Sequence, residues 1–177
     1  MKLKRNFFKK DTLSVARNLL GKVVCRKVGA RIIKGRIAET EAYIGENDKA
    51  CHARFGRTKR TEIMYGKAGH AYIYLCYGIH FLLNIVTEEK DFPAAVLIRK
   101  IEPLNSTRGF KSFGPGNLTR YFYIDKRLNS EDITQSKKLW IEDDNFKIDK
   151  ESLGRGERVG IHYAGDYAKK PWRFWYK

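Results

Sequence analysis

Residues 23–43 have the sequence VVCRKVGARIIKGRIAETEAY. The two runs 23–28 and 31–43 are rich in β-branched residues, and Gly29-Ala30 separates them, which predicts two paired strands. Side chains alternate between the faces of a strand. One face is therefore expected to hold Ile33, Gly35, Ile37, Glu39, Glu41 and Tyr43, and the other Lys34, Arg36, Ala38 and Thr40. If the first is the core face, it ends in carboxylates beside an aromatic ring.

The flanking sequence predicts a mixed α+β domain. Asp11 is expected to cap a helix that ends near Leu20, before Gly21. The runs 71–76 and 79–87 predict a β-hairpin, and 94–101 predicts another strand. Helices are predicted after Gly114-Pro115-Gly116 and after Ser130, residues 142–158 predict a loop, and the aromatic tail 161–176 is expected to pack on the sheet. We expect one domain, residues 1–177, with a largely antiparallel sheet.

The charge of the chain favours a polyanionic partner. Its 177 residues include 36 Lys and Arg against 20 Asp and Glu, a formal net charge of +16. Such a surplus attracts nucleic acid first and an anionic membrane surface second, although a basic surface kept for solubility explains the charge equally well. The sequence has neither a signal peptide nor an apolar run of membrane-spanning length, so we expect no membrane association and an intracellular protein, cytoplasmic or nucleoid-associated if prokaryotic.

The cysteines and histidines form no metal-binding pattern. Cys25, Cys51 and Cys76 are scattered without a CxxC pair, and the four histidines lack HExxH-type spacing. We therefore expect a reducing compartment, no disulfide framework and no metal.

Glu39 and Glu41 are candidates for acid–base chemistry. Inward-facing carboxylates are costly unless they are paired or hydrogen-bonded. In the strand 94–101, Arg99 is expected to share a face with Ala95, Leu97 and Ile101, where it needs an anion. Such an arginine and carboxylate could hold a water between them. The alternatives are a solvated strand end and a purely structural ion pair.

The predicted hairpin carries three tyrosines, Tyr72, Tyr74 and Tyr77. Gly78 supplies the backbone freedom of a tight turn, which leaves Tyr77 near the tip with little to pack on. A bulky side chain on a protruding hairpin suits insertion between base pairs. Tyr43, Tyr72 and Tyr74 could stack a base and attract a cationic one. The alternative, an aromatic sheet core, is favoured for Tyr72.

The order of motifs resembles a known family. Its elements are Glu39-Thr40-Glu41-Ala42-Tyr43-Ile44-Gly45, Asp48, His52, Met64, Gly69, the hairpin 72–78, Asn84, Ile98-Arg99, Glu102-Pro103, Gly114-Pro115-Gly116 and Arg158-Val159-Gly160. This ordered set resembles the alkyladenine DNA glycosylases, also called 3-methyladenine DNA glycosylases of the mammalian type. The resemblance runs from about Leu13 to Tyr176, and it is the ordered set at compatible spacing that is specific.

The resemblance implies a role for each matching residue. Glu41 matches the carboxylate that positions and deprotonates the attacking water, Arg99 the arginine that helps to hold that water, and the Val159 carbonyl a third water ligand. Tyr43, Tyr74 and His52 match walls of the base pocket. Asn84 matches the residue that screens purines by clashing with a 2-amino group, and Tyr77 the wedge that fills the gap left by the flipped nucleotide.

The resemblance also implies a fold and an activity for this chain. The family's fold is a curved, barrel-like antiparallel sheet with a protruding hairpin, and it uses no metal and no organic cofactor. The implied activity is base excision repair: alkylated or deaminated purines are flipped from duplex DNA, and water hydrolyses the N-glycosidic bond to leave an abasic site. The implied substrates are 3-methyladenine, 7-methylguanine, hypoxanthine and ethenoadenine, and a monomer is expected.

Two other classes of protein fit parts of the sequence. A non-catalytic nucleic-acid-binding module would explain the charge and the tyrosines but would not need Glu41 and Arg99 in one pocket. A phosphodiesterase would normally need a cluster of metal-binding side chains, which the sequence does not provide. Since no lysine stands in the matched catalytic positions, we expect water as the nucleophile, without a Schiff base or strand nicking.

Overall fold

An eight-stranded antiparallel sheet forms the frame of the protein in a computed structural model, which describes residues 1–105 and 113–177. Six strands follow the order β3-β4-β5-β2-β1-β6, and β8 joins the sheet through β2 and carries β7. The strands are β1 Val23–Val28, β2 Arg31–Ile44, β3 Ala71–Cys76, β4 His80–Val86, β5 Ala94–Pro103, β6 Leu139–Glu142, β7 Leu153–Gly156 and β8 Arg173–Tyr176. The sheet is curled into half a barrel, which confirms the α+β class with a curved antiparallel sheet.

Short helices cover the sheet. The α-helices are α1 Arg5–Phe8, α2 Thr12–Asn18 and α3 Pro115–Tyr121, and 3-10 turns span His52–Phe55, Glu62–Tyr65, Lys126–Leu128, Lys150–Ser152 and His162–Tyr167. The predicted cap of α2 is confirmed, since the Asp11 carboxylate accepts a hydrogen bond from the Ser14 N–H at 2.8 Å. Gly21 follows with a φ of +78°, a conformation that glycine adopts without steric cost.

The long strand β2 organises the sheet because its two edges have different partners. Along one edge it pairs with β5 from Gly35 to Ile44. Along the other edge it pairs first with β1, over 31–36, and then with β8, over 39–41. The chain's aromatic tail, which was predicted to pack on the sheet, thus joins it as the strand β8 and lies next to the two glutamates.

A double irregularity in the β2–β5 register reverses which side chains face the core. Ala38 on β2 and Arg99 on β5 have no partner in the register. Before it, Ile37 and Ile101 pack in the main core; beyond it, Ala42 takes that face while Tyr43 packs against a second cluster. An extra residue in a strand shifts the period of two by one, and bulges of this kind re-aim side chains next to functional sites.

Because of this irregularity, several side chains of β2 and β5 lie on a different face of the sheet from the one predicted. The expectation that Glu39, Glu41 and Tyr43 share the face of Ile33, Gly35 and Ile37 is wrong. The expectation that Arg99 shares the face of Ile101 is also wrong, although it does share that of Leu97. The glutamates and Arg99 therefore lie on the face of the sheet where Tyr43 packs against the second, smaller cluster, and not on the face of the main core.

The prediction of a helix after Ser130 is wrong. The Asp132 carboxylate accepts hydrogen bonds from the Thr134 N–H and hydroxyl at 3.0 and 2.6 Å, and it also pairs with Arg5. Short polar side chains that bond the local backbone compete with helix formation. Only one turn forms, in which the Ser136 N–H donates to the Asp132 carbonyl. The short strands β6, β7 and β8 were not predicted as strands, and β7 lies inside the stretch predicted as a loop.

Candidate active site

Glu41 is a completely buried carboxylate held by three groups. Oε1 accepts a hydrogen bond from the Val159 N–H at 2.8 Å, and Oε2 accepts one from the Tyr43 hydroxyl at 2.8 Å. Nη1 of Arg99 lies 3.4 Å from Oε1. Burial raises the pKa of Glu41 above its ordinary value, while Arg99, the Val159 N–H and the Tyr43 hydroxyl oppose that rise by favouring the charged form.

A second carboxylate fixes Arg99. Nε of Arg99 donates to Glu39 Oε1 at 3.1 Å, and Nη1 of Arg173 from β8 lies 3.2 Å from the same oxygen. Arg99 therefore bridges Glu39 and Glu41, so both carboxylates proposed as its partner from the sequence contact it. Its orientation is set on one side by Glu39, which leaves Nη1 directed towards Glu41.

A cavity of about 550 Å³ lies against this group. Tyr43, Arg99 and Val159, the three partners of Glu41, all line it, whereas Glu41 lies behind them without exposed surface. His52, Tyr74, Tyr77 and Asn84 are also lining residues. The structure thus brings every residue predicted for the site to one cavity or to its wall, at a size suited to a small organic group.

Three aromatic rings form one wall. His52 and Tyr74 meet edge to face with centroids 4.5 Å apart, and Tyr72 lies 5.5 Å from Tyr74. Nδ1 of His52 is 2.8 Å from the Tyr72 hydroxyl. Burial, Arg60 and Arg54 together lower the pKa of His52 to about 4, so the imidazole is neutral at neutral pH. Tyr72 is buried among apolar side chains, as favoured from the sequence.

Asn84 is buried at the floor of the cavity, where β4 lies between β3 and β5. Its Nδ2 donates to the Tyr72 carbonyl at 3.1 Å and approaches the Leu82 carbonyl at 3.5 Å. The amide is therefore held by the backbone of the sheet, and its position relative to the tyrosine wall is fixed.

Tyr77 stands at the tip of the hairpin with 90% of its surface exposed. Both Tyr77 and Gly78 have positive φ, +49° and +70°, and the Ile79 N–H donates to the Cys76 carbonyl at 3.0 Å. These are the φ signs of a type I′ turn. A bulky residue in the left-handed region is uncommon and is strained, and such strain concentrates at functional sites. The neighbouring Leu75 and Ile79 are also exposed, which makes the tip apolar.

Sequence reasoning assigned no role to two charged residues of this region, Asp48 and Arg158. They form a completely buried ion pair directly beside Val159. Both residues belong to the ordered motifs, but they are 110 positions apart, and nothing local shows that they pair. Tyr163, from the tail, was missed as well; it lines the cavity and is exposed, with Arg54 stacked on its ring.

The sequence between the His52 turn and the hairpin is basic, and we expect its cations to contact phosphates: Arg54, Arg57, Lys59, Arg60 and Lys67. Some of these cations are engaged within the protein and others are not. Arg57 is paired with Asp91 and lies near Glu62, and Arg60 lies over the Tyr74 ring. Lys59 and Lys67 are exposed and form no ion pair with another residue of the described ranges. Within the described parts of the chain, no helix has the length and apolarity needed to cross a bilayer.

Comparisons with known proteins agree on one family. A family model described as methylpurine-DNA glycosylase matches residues 6–177. A Methanocella arvoryzae protein named "Putative 3-methyladenine DNA glycosylase" is 44% identical over 99% of this chain and 92% of its own length. Proteins of the same name from Legionella pneumophila strain Corby and from an Anaeromyxobacter species are 42% and 45% identical, over 99% and 98% of this chain and over 94% and 88% of their own.

Proposed function

The chain belongs to the methylpurine-DNA glycosylase family, and from that premise we propose that Glu41 activates the water that cleaves the N-glycosidic bond of a flipped, damaged purine. Family and relatives together identify a DNA repair hydrolase, a monofunctional glycosylase that acts on methylated purines such as 3-methyladenine. The observation that carries the proposal is the completely buried Glu41 carboxylate, whose three partners all line one cavity.

The contacts of Glu41 support its role as general base. A carboxylate oxygen accepts about two hydrogen bonds, so Oε2, which accepts one from Tyr43, keeps capacity for a water. In the proposed reaction the C1′–N bond breaks with its electron pair on the base, the water oxygen bonds to C1′, and a water proton passes to Glu41. The negative charge of Glu41 also stabilises the oxocarbenium character of the sugar.

Arg99 and Val159 are proposed to orient that water. Arg99 is anchored through Nε on Glu39, so its Nη1 is directed towards Oε1 of Glu41. The resemblance assigns a water-binding role to the Val159 carbonyl, and the N–H of the same residue is bonded to Glu41. Since none of the described residues that line the cavity is a lysine, water is the proposed nucleophile.

The cavity wall suits a cationic, alkylated base. Tyr43 and Tyr74 offer aromatic faces, which attract positive charge. Burial, together with Arg60 and Arg54, lowers the pKa of the neighbouring His52 to about 4, so the imidazole itself adds no positive charge to this wall. Asn84 is proposed to exclude purines with a 2-amino group. Neutral lesions such as hypoxanthine and ethenoadenine are proposed substrates that additionally need a proton on the leaving base.

Access to a base inside a duplex requires flipping, which costs a few kcal/mol. Tyr77, at the exposed and apolar hairpin tip, is the proposed wedge that fills the resulting gap. We further propose that the protein acts as a monomer, inside the cell, on duplex DNA that contains damaged purines.

The proposal is tested by base release from three duplexes, methylated to carry 3-methyladenine or containing one hypoxanthine or one 1,N6-ethenoadenine, followed by hot alkali. Wild type is expected to give alkali-dependent cleavage, and Glu41→Gln none. The matched control is Glu102→Gln, since Glu102 likewise accepts a tyrosine hydroxyl, that of Tyr176 at 2.8 Å. Release of the methylated base alone would restrict the substrates to cationic purines. Equal release by Glu41→Gln and wild type would contradict the role of Glu41, and DNA binding without release would favour a binding module.

A further inference from the structure

Asp48 and Arg158 form an ion pair that the proposed chemistry does not use. Nη1 of Arg158 donates to Asp48 Oδ2 at 2.6 Å and Nη2 to Oδ1 at 2.8 Å, with both side chains completely buried. The pair is bidentate, and this geometry fixes the plane and the distance of both groups.

The guanidinium of Arg158 also contacts the strand that carries Glu41. Nη1 donates to the Ala42 carbonyl at 2.8 Å, and Ala42 stands between Glu41 and Tyr43. The Arg158 guanidinium carbon lies 4.7 Å from the centre of the Tyr43 ring. Arg158 therefore touches the backbone and the aromatic neighbour of the proposed base, and it is covalently joined to Val159, whose N–H bonds Glu41.

Asp48 extends these contacts to the wall of the cavity. Its Oδ2 accepts a hydrogen bond from the Ile44 N–H at 3.1 Å, and its Oδ1 accepts one from the Ala50 N–H at 3.0 Å. Ile44 ends β2, and Ala50 begins the approach to His52. The ion pair thus joins the end of β2, the loop that leads to His52 and the segment that begins at Arg158.

Val159 needs such an anchor because its own packing is weak. About half of the surface of the residue is exposed, and Gly160 follows with a φ of +76°. Stability alone does not account for the pair, since a buried ion pair is often no more stabilising than apolar residues of similar volume. The contacts at Ala42, Tyr43 and Val159 give it a more specific role.

We propose that the Asp48–Arg158 pair is a positioning device that holds the Val159 N–H against Glu41 and so keeps the carboxylate in its working orientation. This inference rests on the proposed function, because it concerns the residue that activates water. Asp48 and Arg158 are positioning residues, since they act through Val159 and do not touch the reacting atoms.

A positioning role has a signature in the pH dependence of the reaction. Besides the Val159 N–H, the groups facing Glu41 are Arg99 from β5, Glu39 and Tyr43 from β2, and Tyr74 from β3. The Val159 N–H favours the charged carboxylate, so its loss raises the pKa of Glu41 further. The acidic limb of the rate profile then moves to higher pH, which a loss of folded protein alone would not cause.

The experiment compares Arg158→Lys and the apolar double variant Asp48→Leu/Arg158→Met with wild type. The matched control is Arg36→Met/Asp144→Leu, because Arg36 also binds its aspartate bidentately, bonds the Gly21 carbonyl and stacks on Phe146, away from the cavity. Single-turnover release of 3-methyladenine from methylated duplex DNA is measured across the pH range, together with melting temperature and DNA affinity.

Both Asp48–Arg158 variants are expected to release the base about 100-fold more slowly, with the acidic limb displaced upwards and DNA affinity close to wild type. The control is expected to keep the wild-type rate and limb. The proposal is overturned if the folded double variant keeps the wild-type limb, or if its rate falls only as its folded fraction falls. If the double variant does not fold, an unmoved limb in Arg158→Lys overturns it. Failure of the proposed function would give a different result: the Glu41→Gln variant would then release the base as fast as wild type.

Discussion

The Glu41 carboxylate is costly to keep charged, because it has no exposed surface. Two hydrogen bonds and Arg99 offset part of that cost, yet the balance still raises the pKa of Glu41. A raised pKa means that the basic form is lost while the pH is still above the ordinary value for a glutamate. Base release should therefore fall as the pH falls through this raised value.

Replacing Tyr43 by Phe should move this acidic limb to still higher pH. The change keeps the ring in the cavity wall but removes the hydroxyl that donates to Glu41 Oε2 at 2.8 Å and thereby favours the charged form. One hydrogen bond is worth about 1 kcal/mol, so the plateau rate should change by no more than about fivefold. Single-turnover rates against pH test this prediction. Tyr176→Phe, which removes a similar hydrogen bond to Glu102, should leave the acidic limb of the rate profile in place. An unmoved acidic limb in Tyr43→Phe would contradict the idea that the Tyr43 hydroxyl lowers the pKa of Glu41.

The neutral state of His52 should appear in the pH dependence of stability. Its pKa is about 4 in the folded protein and about 6.5 in an unfolded chain, so between these values the unfolded state binds the extra proton. Stability is therefore lost as the pH falls from about 6.5 to 4, by on the order of 3 kcal/mol.

Melting temperatures across that window should fall less steeply for His52→Gln than for wild type. His162→Gln is the control, because His162 is exposed, and its profile should match wild type. Parallel profiles for His52→Gln and wild type would show that the imidazole is not held neutral, and the proposal that His52 adds no charge to the wall would then fail.

At the level of elements, the turn of the β3–β4 hairpin is locally strained, and it exposes the side chain of Tyr77. Tyr77 adopts a φ of +49° that disfavours it, and its side chain packs on little. Tyr77→Asn should therefore raise stability by about 0.5–1 kcal/mol, since asparagine tolerates the left-handed region. If Tyr77 is the wedge, the same change should slow release from a duplex by about 10- to 100-fold and leave release from single-stranded DNA nearly unchanged.

Tyr123→Asn is a matched control for the hairpin, because Tyr123 is also exposed and has a φ of +53°, but it does not line the cavity. It should gain stability without a change in base release. Unfolding experiments with both variants, combined with excision from duplex and single-stranded substrates, separate the two effects. Equal slowing on duplex and single strand in Tyr77→Asn would contradict the wedge.

The elements that could be predicted from the sequence are those set by local pattern. The alternation in 23–28, 31–43 and 71–76, and the Asp11 cap, predict elements that the structure contains. The residues of β7, Leu153–Gly156, include two glycines, so they resemble a loop. Gly154 is needed because a Cβ there would lie 2.2 Å from the Trp175 ring of β8, and only the tertiary structure shows this close approach.

The register irregularity limited the prediction of the site in the same way. Ala38 and Arg99 have no unusual local sequence, so a period of two was carried through both strands, and the glutamates were assigned to the wrong face. The association of Glu41 with Arg99 was nevertheless predicted, because both side chains shift together when the two strands are irregular at the same place. The Asp48–Arg158 pair could not be predicted, since it joins segments that are distant in sequence.

For the whole molecule, the formal charge of +16 implies a salt-dependent affinity for DNA, but not every cation contributes equally. A lysine that neutralises a phosphate releases a counterion, and this release sets the slope of affinity against salt. A cation already paired with protein carboxylates releases few counterions. Whether a cation is already paired with a carboxylate should therefore decide how much it contributes to the slope of DNA affinity against salt concentration.

Three single variants separate these cases. Lys59→Gln and Lys67→Gln remove exposed charges that are free within the described chain, and each should reduce the slope of log affinity against log salt by about one. Arg57→Gln removes a charge that Asp91 and Glu62 already balance, so the slope should stay close to wild type. Titrations of duplex DNA at several salt concentrations measure all three. If Arg57→Gln lowered the slope as much as Lys59→Gln, the Arg57–Asp91 pair would have to open on DNA, and the free charge at Lys59 and Lys67 would not be what distinguishes the DNA-binding surface.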